Sequence, residues 1–230
     1  FHQKLAGVLT WHSELLKNPH YARGGFTHLF PKTIPGASRD ERPQLCTLIA
    51  GNKSVSHPLE LYSERRRAIR WFEKNAPDSI GKLRAYYGVG WERPYLKGGF
   101  ATKVLRKLQL LSYLPERPSR NFGGRVDSKL ETLSKFDFSI CFENAKEIPG
   151  YISEKIFDSM FAGCIPVYWG APDISSFFPE ETFIDFRKFR SKEKNGDPAY
   201  AELYRYMKSM PPSELATRRQ AIQSFLASPQ

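Results

Sequence analysis

Tyr151, Glu154 and Lys155 cluster at the start of a helical pattern running from Ser153 to about Ala162. The three offer complementary chemistry: an ammonium that can meet an anion, a carboxylate that can accept from hydroxyls, and a phenol with both a ring and a hydroxyl. A lysine in a first helical turn opposes the macrodipole, so an anionic ligand explains it better than helix stability does. Taken singly, each has an ordinary reading: a first-turn acid, a solvated lysine, a packing tyrosine. Their convergence on one helix start weakens those readings, because unpaired N–H groups there favour phosphate.

The elements that must position this cluster are legible as an α/β pattern. Phe136 to Phe142 reads as a buried strand, a loop runs from Glu143 to Gly150, and Ser153 is placed to cap the helix. Ile156, Phe157, Met160 and Phe161 give that helix an apolar face. Gly163 then closes it before a second strand, Cys164 to Trp169. Strand, helix and strand in succession predict a right-handed βαβ unit in a parallel sheet, with the helix start at the carboxyl edge where ligands bind.

Upstream, Lys4 to Trp11 and Leu45 to Ala50 read as short buried strands. Between them, the Pro- and Gly-rich residues 19–45 read as a linker. Residues 1–44 are therefore assigned to the end of one unit plus linker, and 45–230 to a second α/β unit. Leu61 to Asn75 is helical in pattern, with Leu61, Ala68, Ile69 and Phe72 on one face. Arg65 falls near the centre of that face while Arg66 and Arg67 turn away. A structural ion pair with a neighbouring carboxylate would satisfy Arg65, and so would an anion site above the helix. Ala85 to Gly90 suggests a strand entering a Gly-rich turn, and Leu130 to Lys135 a short helix.

The chain has 230 residues, a formal charge of +11, and 40% hydrophobic residues, enough for a sizeable core. The charge points to an anionic partner without choosing among nucleic acid, an anionic membrane face and a phosphorylated small molecule. The excess gathers at Arg65–Arg67 with Arg70, from Lys103 to Arg125, and from Arg187 to Lys194. These runs mostly lack interleaved aromatics, which disfavours nucleic acid. A basic exposed tail admits peripheral contact with an anionic membrane face, or is simply solvated. Cys46, Cys141 and Cys164 are too scattered for a disulfide framework or zinc site and read as small buried hydrophobes, which suits a reducing compartment.

The segment from Phe136 to Phe189 resembles the signature region of the α1,3/α1,4-fucosyltransferases. Its marks are an aromatic strand ending Phe142-Glu143-Asn144, then Tyr151-x-x-Glu154-Lys155, then Pro166-Val167 and Gly170, then Phe178-Pro179, and Phe183-Ile184 into Asp185-Phe186. A looser similarity extends upstream through Ala50 to Trp91. Ile152 and Ser153 stand where the family usually has Val and Thr, and the loop from Asn144 to Tyr151 is one residue longer.

The resemblance implies a GT-B fold, two Rossmann-like domains facing across a cleft, with the first domain largely outside this chain. It implies donor contacts from Arg65, Asn144, Tyr151, Glu154 and Lys155, with Lys155 on the pyrophosphate and Glu154 on ribose or fucose hydroxyls. Arg65 is selected by aligning the apolar positions of its helix, with Arg66 one residue away as the fallback. The partners implied are GDP-fucose and an acceptor oligosaccharide, with no nucleic acid. The reaction implied is inverting transfer of L-fucose to a hydroxyl, O3 or O4 of N-acetylglucosamine or glucose. The general base implied is a carboxylate upstream of Phe1, so no catalytic residue is assigned and Glu14 is not promoted to the role. No Asp-x-Asp motif occurs, so neither a metal nor another cofactor is expected. A bacterial-type protein, cytoplasmic or peripheral at the cytoplasmic membrane face, is favoured over a Golgi one. Another nucleotide-sugar transferase of the same architecture and a non-catalytic polyanion-binding module are the competing readings.

Overall fold

The computed structural model describes residues 6–24, 42–53, 55–76, 86–88, 91, 104, 122–190 and 197–228. Parts of the readings for Lys4 to Trp11, for 19–45, for Ala85 to Gly90 and for the basic runs 103–125 and 187–194 lie outside them. In chain order the elements are β1 (Val8–Thr10), β2 (Tyr21–Arg23), β3 (Gln44–Ile49), α1 (Tyr62–Asn75), β4 (Tyr86–Tyr87), α2 (Lys129–Leu133), β5 (Phe136–Phe142), α3 (Glu154–Phe161), β6 (Ile165–Trp169), β7 (Ile184–Asp185), α4 (Asp197–Ser209) and α5 (Pro212–Ala227), with short 3-10 turns between some of them.

The strands form two parallel sheets, a pair β1-β2 and a five-stranded sheet in the order β4-β3-β5-β6-β7. Every residue of β5 and of β6 is buried, as expected of central parallel strands covered on both faces. Their register pairs Phe138 with Ile165 and Phe142 with Trp169, so α3 is the crossover of the βαβ unit. Ile156 and Met160, one turn apart on α3, are fully buried and seat it on β5 and β6. Gly163 closes α3 at φ 68°, a left-handed conformation that glycine adopts without a Cβ penalty. On the opposite side, α1 packs against α4, where the Tyr200 hydroxyl donates to the Glu64 carbonyl and carboxylate.

Three expectations change. β2 lies inside the stretch read as linker: Tyr21 to Arg23 pair in parallel with Val8 to Thr10, and strand pairing is a non-local property that breaker content does not report. Ser153 occupies the N-cap of α3 but makes no side-chain cap, because its hydroxyl is engaged by Glu143 and Lys155 instead. Arg66, read as turned away from the apolar face, is nonetheless buried, donating to the Lys53 carbonyl and to the Ser63 hydroxyl, since the loop before α1 folds over it.

Candidate functional site

The chain leaves β3, returns as β4 on one side of it, then crosses to β5 on the other. Crossovers that depart in opposite directions open a crevice outside the carboxyl ends of the two central strands. A cavity of about 420 Å³ occupies that position, lined by Ala50 and Gly51 after β3 and by residues of β5 and α3. Its size suits a small organic ligand. Arg65, Asn144, Glu154 and Lys155 all line it.

Arg65 is buried and aimed by the end of β5. Its Nε and Nη2 donate to the Phe142 carbonyl at 3.1 and 2.7 Å, and Nη2 also donates to Asn144 Oδ1 at 3.0 Å. The guanidinium lies 4.9 Å from the Tyr62 ring centroid. Burial lowers its pKa and the nearby Glu143 carboxylate opposes that. A carbonyl and an amide hold this arginine, so neither partner neutralises it and its charge remains directed at the cavity. Among the described residues Arg65 forms no direct carboxylate pair, the first of the two explanations open from the sequence.

Asn144 links two of the expected residues, accepting from Arg65 and donating through Nδ2 to the Tyr151 hydroxyl at 3.1 Å. Tyr151 is not on the cavity wall; its ring sits 6.0 Å from that of Trp11, and it reaches the site through Asn144. The intervening loop turns through left-handed residues at Glu147 and Gly150.

The residue that sequence reasoning missed is Glu143, fully buried beside the cavity. Its carboxylate accepts from the Ser153 backbone N–H at 2.7 Å, the Ser153 hydroxyl at 2.6 Å and Lys155 Nζ at 3.2 Å. Lys155 also donates to Ser153 Oγ at 2.7 Å. The lysine that opposes the helix dipole is thus held by a buried carboxylate, a structural reason for it that the sequence reading did not include. An ammonium has three protons; two make these bonds, and the third lies between the Glu154 carboxylate, 3.7 Å away, and the cavity. The available signal was a glutamate directly after a mostly apolar strand, a charge that must find a partner once buried.

Glu154 is partly exposed at the cavity rim. Burial pushes its carboxyl up, but Lys155, a backbone N–H, Lys129 and Ser153 together bring it below the ordinary carboxylate value. One turn further on, Lys129 Nζ donates to Asp158 Oδ2 at 2.7 Å, and both residues line the cavity. All three cysteines are free and buried, and burial pushes the thiols of Cys141 and Cys164 up to about 12. Among the described residues no group of acidic, His or Cys side chains is arranged to hold a metal ion. No helix among them is long and apolar enough to cross a membrane.

Residues 119–209, which carry β5, α3 and most of the cavity floor, match the family described as glycosyltransferase family 10 (fucosyltransferase), C-terminal part. The likeness to glycosyltransferase family 10 lies in this segment, which is less than half of the chain. An α-(1,3)-fucosyltransferase of Helicobacter pylori is 39% identical over 153 residues, which cover 66% of this chain and 26% of that protein. An α-(1,3)-fucosyltransferase of Drosophila melanogaster is 37% identical over 90 residues, 35% of this chain and 20% of that one. The chain therefore spans about a quarter or less of these family 10 relatives. A solved S. aureus TarM structure aligns over 98% of this chain and 41% of its own, with a TM-score of 0.50 and 12% identity, a likeness of fold alone. The fold is of the GT-B type, with parallel sheets flanked by helices.

Proposed function

We propose that this chain is the donor-binding part of an inverting fucosyltransferase that takes GDP-fucose. The observation that carries the reading is the cavity at the β3/β5 crevice, which Arg65 and Lys155 both line beside the start of α3. Two fixed cations and helix N–H groups suit a diphosphate, whose negative charge grows as it leaves the sugar. Glu154, acceptor-only when ionised, sits where ribose or fucose hydroxyls would meet it, and Asn144 holds Arg65 in register. The acceptor hydroxyl, O3 or O4 of N-acetylglucosamine or glucose, attacks the anomeric carbon from the opposite face, giving inversion. The base that deprotonates it is a carboxylate from the facing domain of the complete enzyme. With Arg65 and Lys155 supplying positive charge to the diphosphate, no divalent metal or other cofactor is required.

Calorimetric titration of the chain with GDP, UDP and CMP tests the reading. GDP is expected to bind, and Lys155→Ala or Arg65→Ala to weaken it by roughly tenfold or more, the scale of one charge-assisted hydrogen bond. Unchanged GDP affinity in both variants, or a preference for UDP, would overturn it.

A further inference from the structure

Beyond the diphosphate-binding residues, the cavity continues along α3 for one more turn, and its chemistry changes there. Asp158 follows Glu154 by four residues, about 6 Å along the helix axis. It lines the same cavity together with Lys129, whose ammonium holds its Oδ2 at 2.7 Å. Leu133 and Ile140, both buried, form apolar wall at this end, with the Ser159 hydroxyl nearby. A flat heterocycle placed here would lie against an apolar surface with a carboxylate and an ammonium side by side at its edge.

We infer that Asp158 and Lys129 read the nucleobase and select guanine. The inference rests on the donor-site reading above, which puts the diphosphate at Arg65 and Lys155 and a sugar at Glu154, leaving the next turn of α3 for the base. A carboxylate only accepts hydrogen bonds, and its four lone-pair sites leave capacity beyond the one used by Lys129. Guanine presents two adjacent donors, N1–H and the exocyclic N2 amine, with the O6 acceptor beside them. The donors match Asp158, and O6 matches the Lys129 ammonium. Uracil offers a single N3–H between two carbonyl oxygens that repel a carboxylate. Adenine and cytosine each place a ring-nitrogen acceptor beside their amine. The side chains of Lys129 and Asp158 are 46% and 26% exposed; a base laid over them covers this polar edge, and a mismatched pattern then leaves it unpaired, which discriminates more strongly than a loss of apolar contact.

The test is calorimetric titration of the chain with GDP, inosine diphosphate and inorganic pyrophosphate. Inosine diphosphate keeps N1–H and O6 but lacks the N2 amine. The unsubstituted chain is expected to prefer GDP by roughly tenfold to a hundredfold, the scale of one hydrogen bond to a charged group. Asp158→Asn is expected to bring the GDP-to-inosine-diphosphate ratio close to one while pyrophosphate affinity holds, which also reports an intact fold. Lys129→Met is expected to weaken both nucleotides alike and keep their ratio, because both carry O6. Binding of GDP with no preference over inosine diphosphate, or an unaltered ratio in Asp158→Asn, would overturn the base assignment alone. Binding of neither GDP nor pyrophosphate would overturn the donor-site reading and this inference with it.

Discussion

Replacing Glu143 by glutamine keeps its shape and removes its charge, and the consequences follow from its contacts. The carboxylate accepts three hydrogen bonds at full burial, and its ion-pair partner Lys155 is itself only 14% exposed in its side chain. A glutamine oxygen can keep the bond from the Ser153 N–H, but its amino group then faces the Lys155 ammonium or the Ser153 hydroxyl. The ammonium loses its buried counter-charge and keeps only the partly exposed Glu154 carboxylate at 3.7 Å. Breaking a buried ion pair from one side costs about 3–5 kcal/mol. For a chain of 230 residues, each kcal/mol corresponds to roughly 2–4 °C, so Glu143→Gln should lower Tm by about 6–20 °C. The assay is thermal unfolding followed by far-ultraviolet circular dichroism, with Lys155→Met and the double variant completing a cycle. Removing the lysine as well removes the under-compensated charge, so the double variant should recover about 1–3 kcal/mol relative to additivity. A Tm drop below about 3 °C in Glu143→Gln, or strict additivity, would refute the assignment of Glu143 as the anchor of Lys155 and of the α3 start.

Gly150→Ala should destabilise by at least about 2 kcal/mol in chemical denaturation, because a left-handed backbone is combined with a forced contact. Its φ is +72°, and a Cβ there would meet the Trp11 carbonyl at 1.9 Å, where Asp173 already ties Gly150 and Ser13 together. The variant should also expose the segment around Ser13 to limited proteolysis. Cys141 and Cys164, buried with thiols raised to about 12, should resist iodoacetamide at neutral pH in the folded chain and react fully in denaturant. Glu154, whose carboxyl is held below its ordinary value of 4.5, contributes stability that is present above the unfolded carboxylate value and lost as pH falls through the lowered one. Glu154→Gln should therefore flatten the acid side of the stability-pH curve below about pH 4.5 and leave the slope near neutrality unchanged.

The elements that carry the site were legible because they are written in local periodicity. Phe136 to Phe142 is continuously apolar except for Asp137 and Ser139, and it forms the strand over those bounds. Leu61, Ala68, Ile69 and Phe72 mark one face of α1, and all four are buried. Arg65 at the centre of that face was expected to be inward, and it is. Arg66 was not, because helical phase describes one face of one helix and says nothing about a loop that folds back over the next residue. β2 escaped for the same reason: three residues with no alternation become a strand only by pairing with β1.

The composition and motifs by themselves determined a parallel α/β unit, a resemblance to one family of transferases, and a cluster of anion-seeking and hydroxyl-seeking residues at one helix start. Which polar group holds which was decided only by the tertiary structure. Glu143 stands next to Asn144 in the chain but is bonded to Ser153 and Lys155, ten and twelve residues away, while Arg65 reaches Asn144 across 79 residues. Hydrophobic burial is non-directional, so a pattern along the chain is enough to state it. Hydrogen bonds and buried charges are directional and must be satisfied by whatever the fold brings within about 3 Å. The partners of Lys155, the orientation of Arg65 and the juxtaposition of Asp158 with Lys129 therefore exist only once β5, α1, α2 and α3 have packed together.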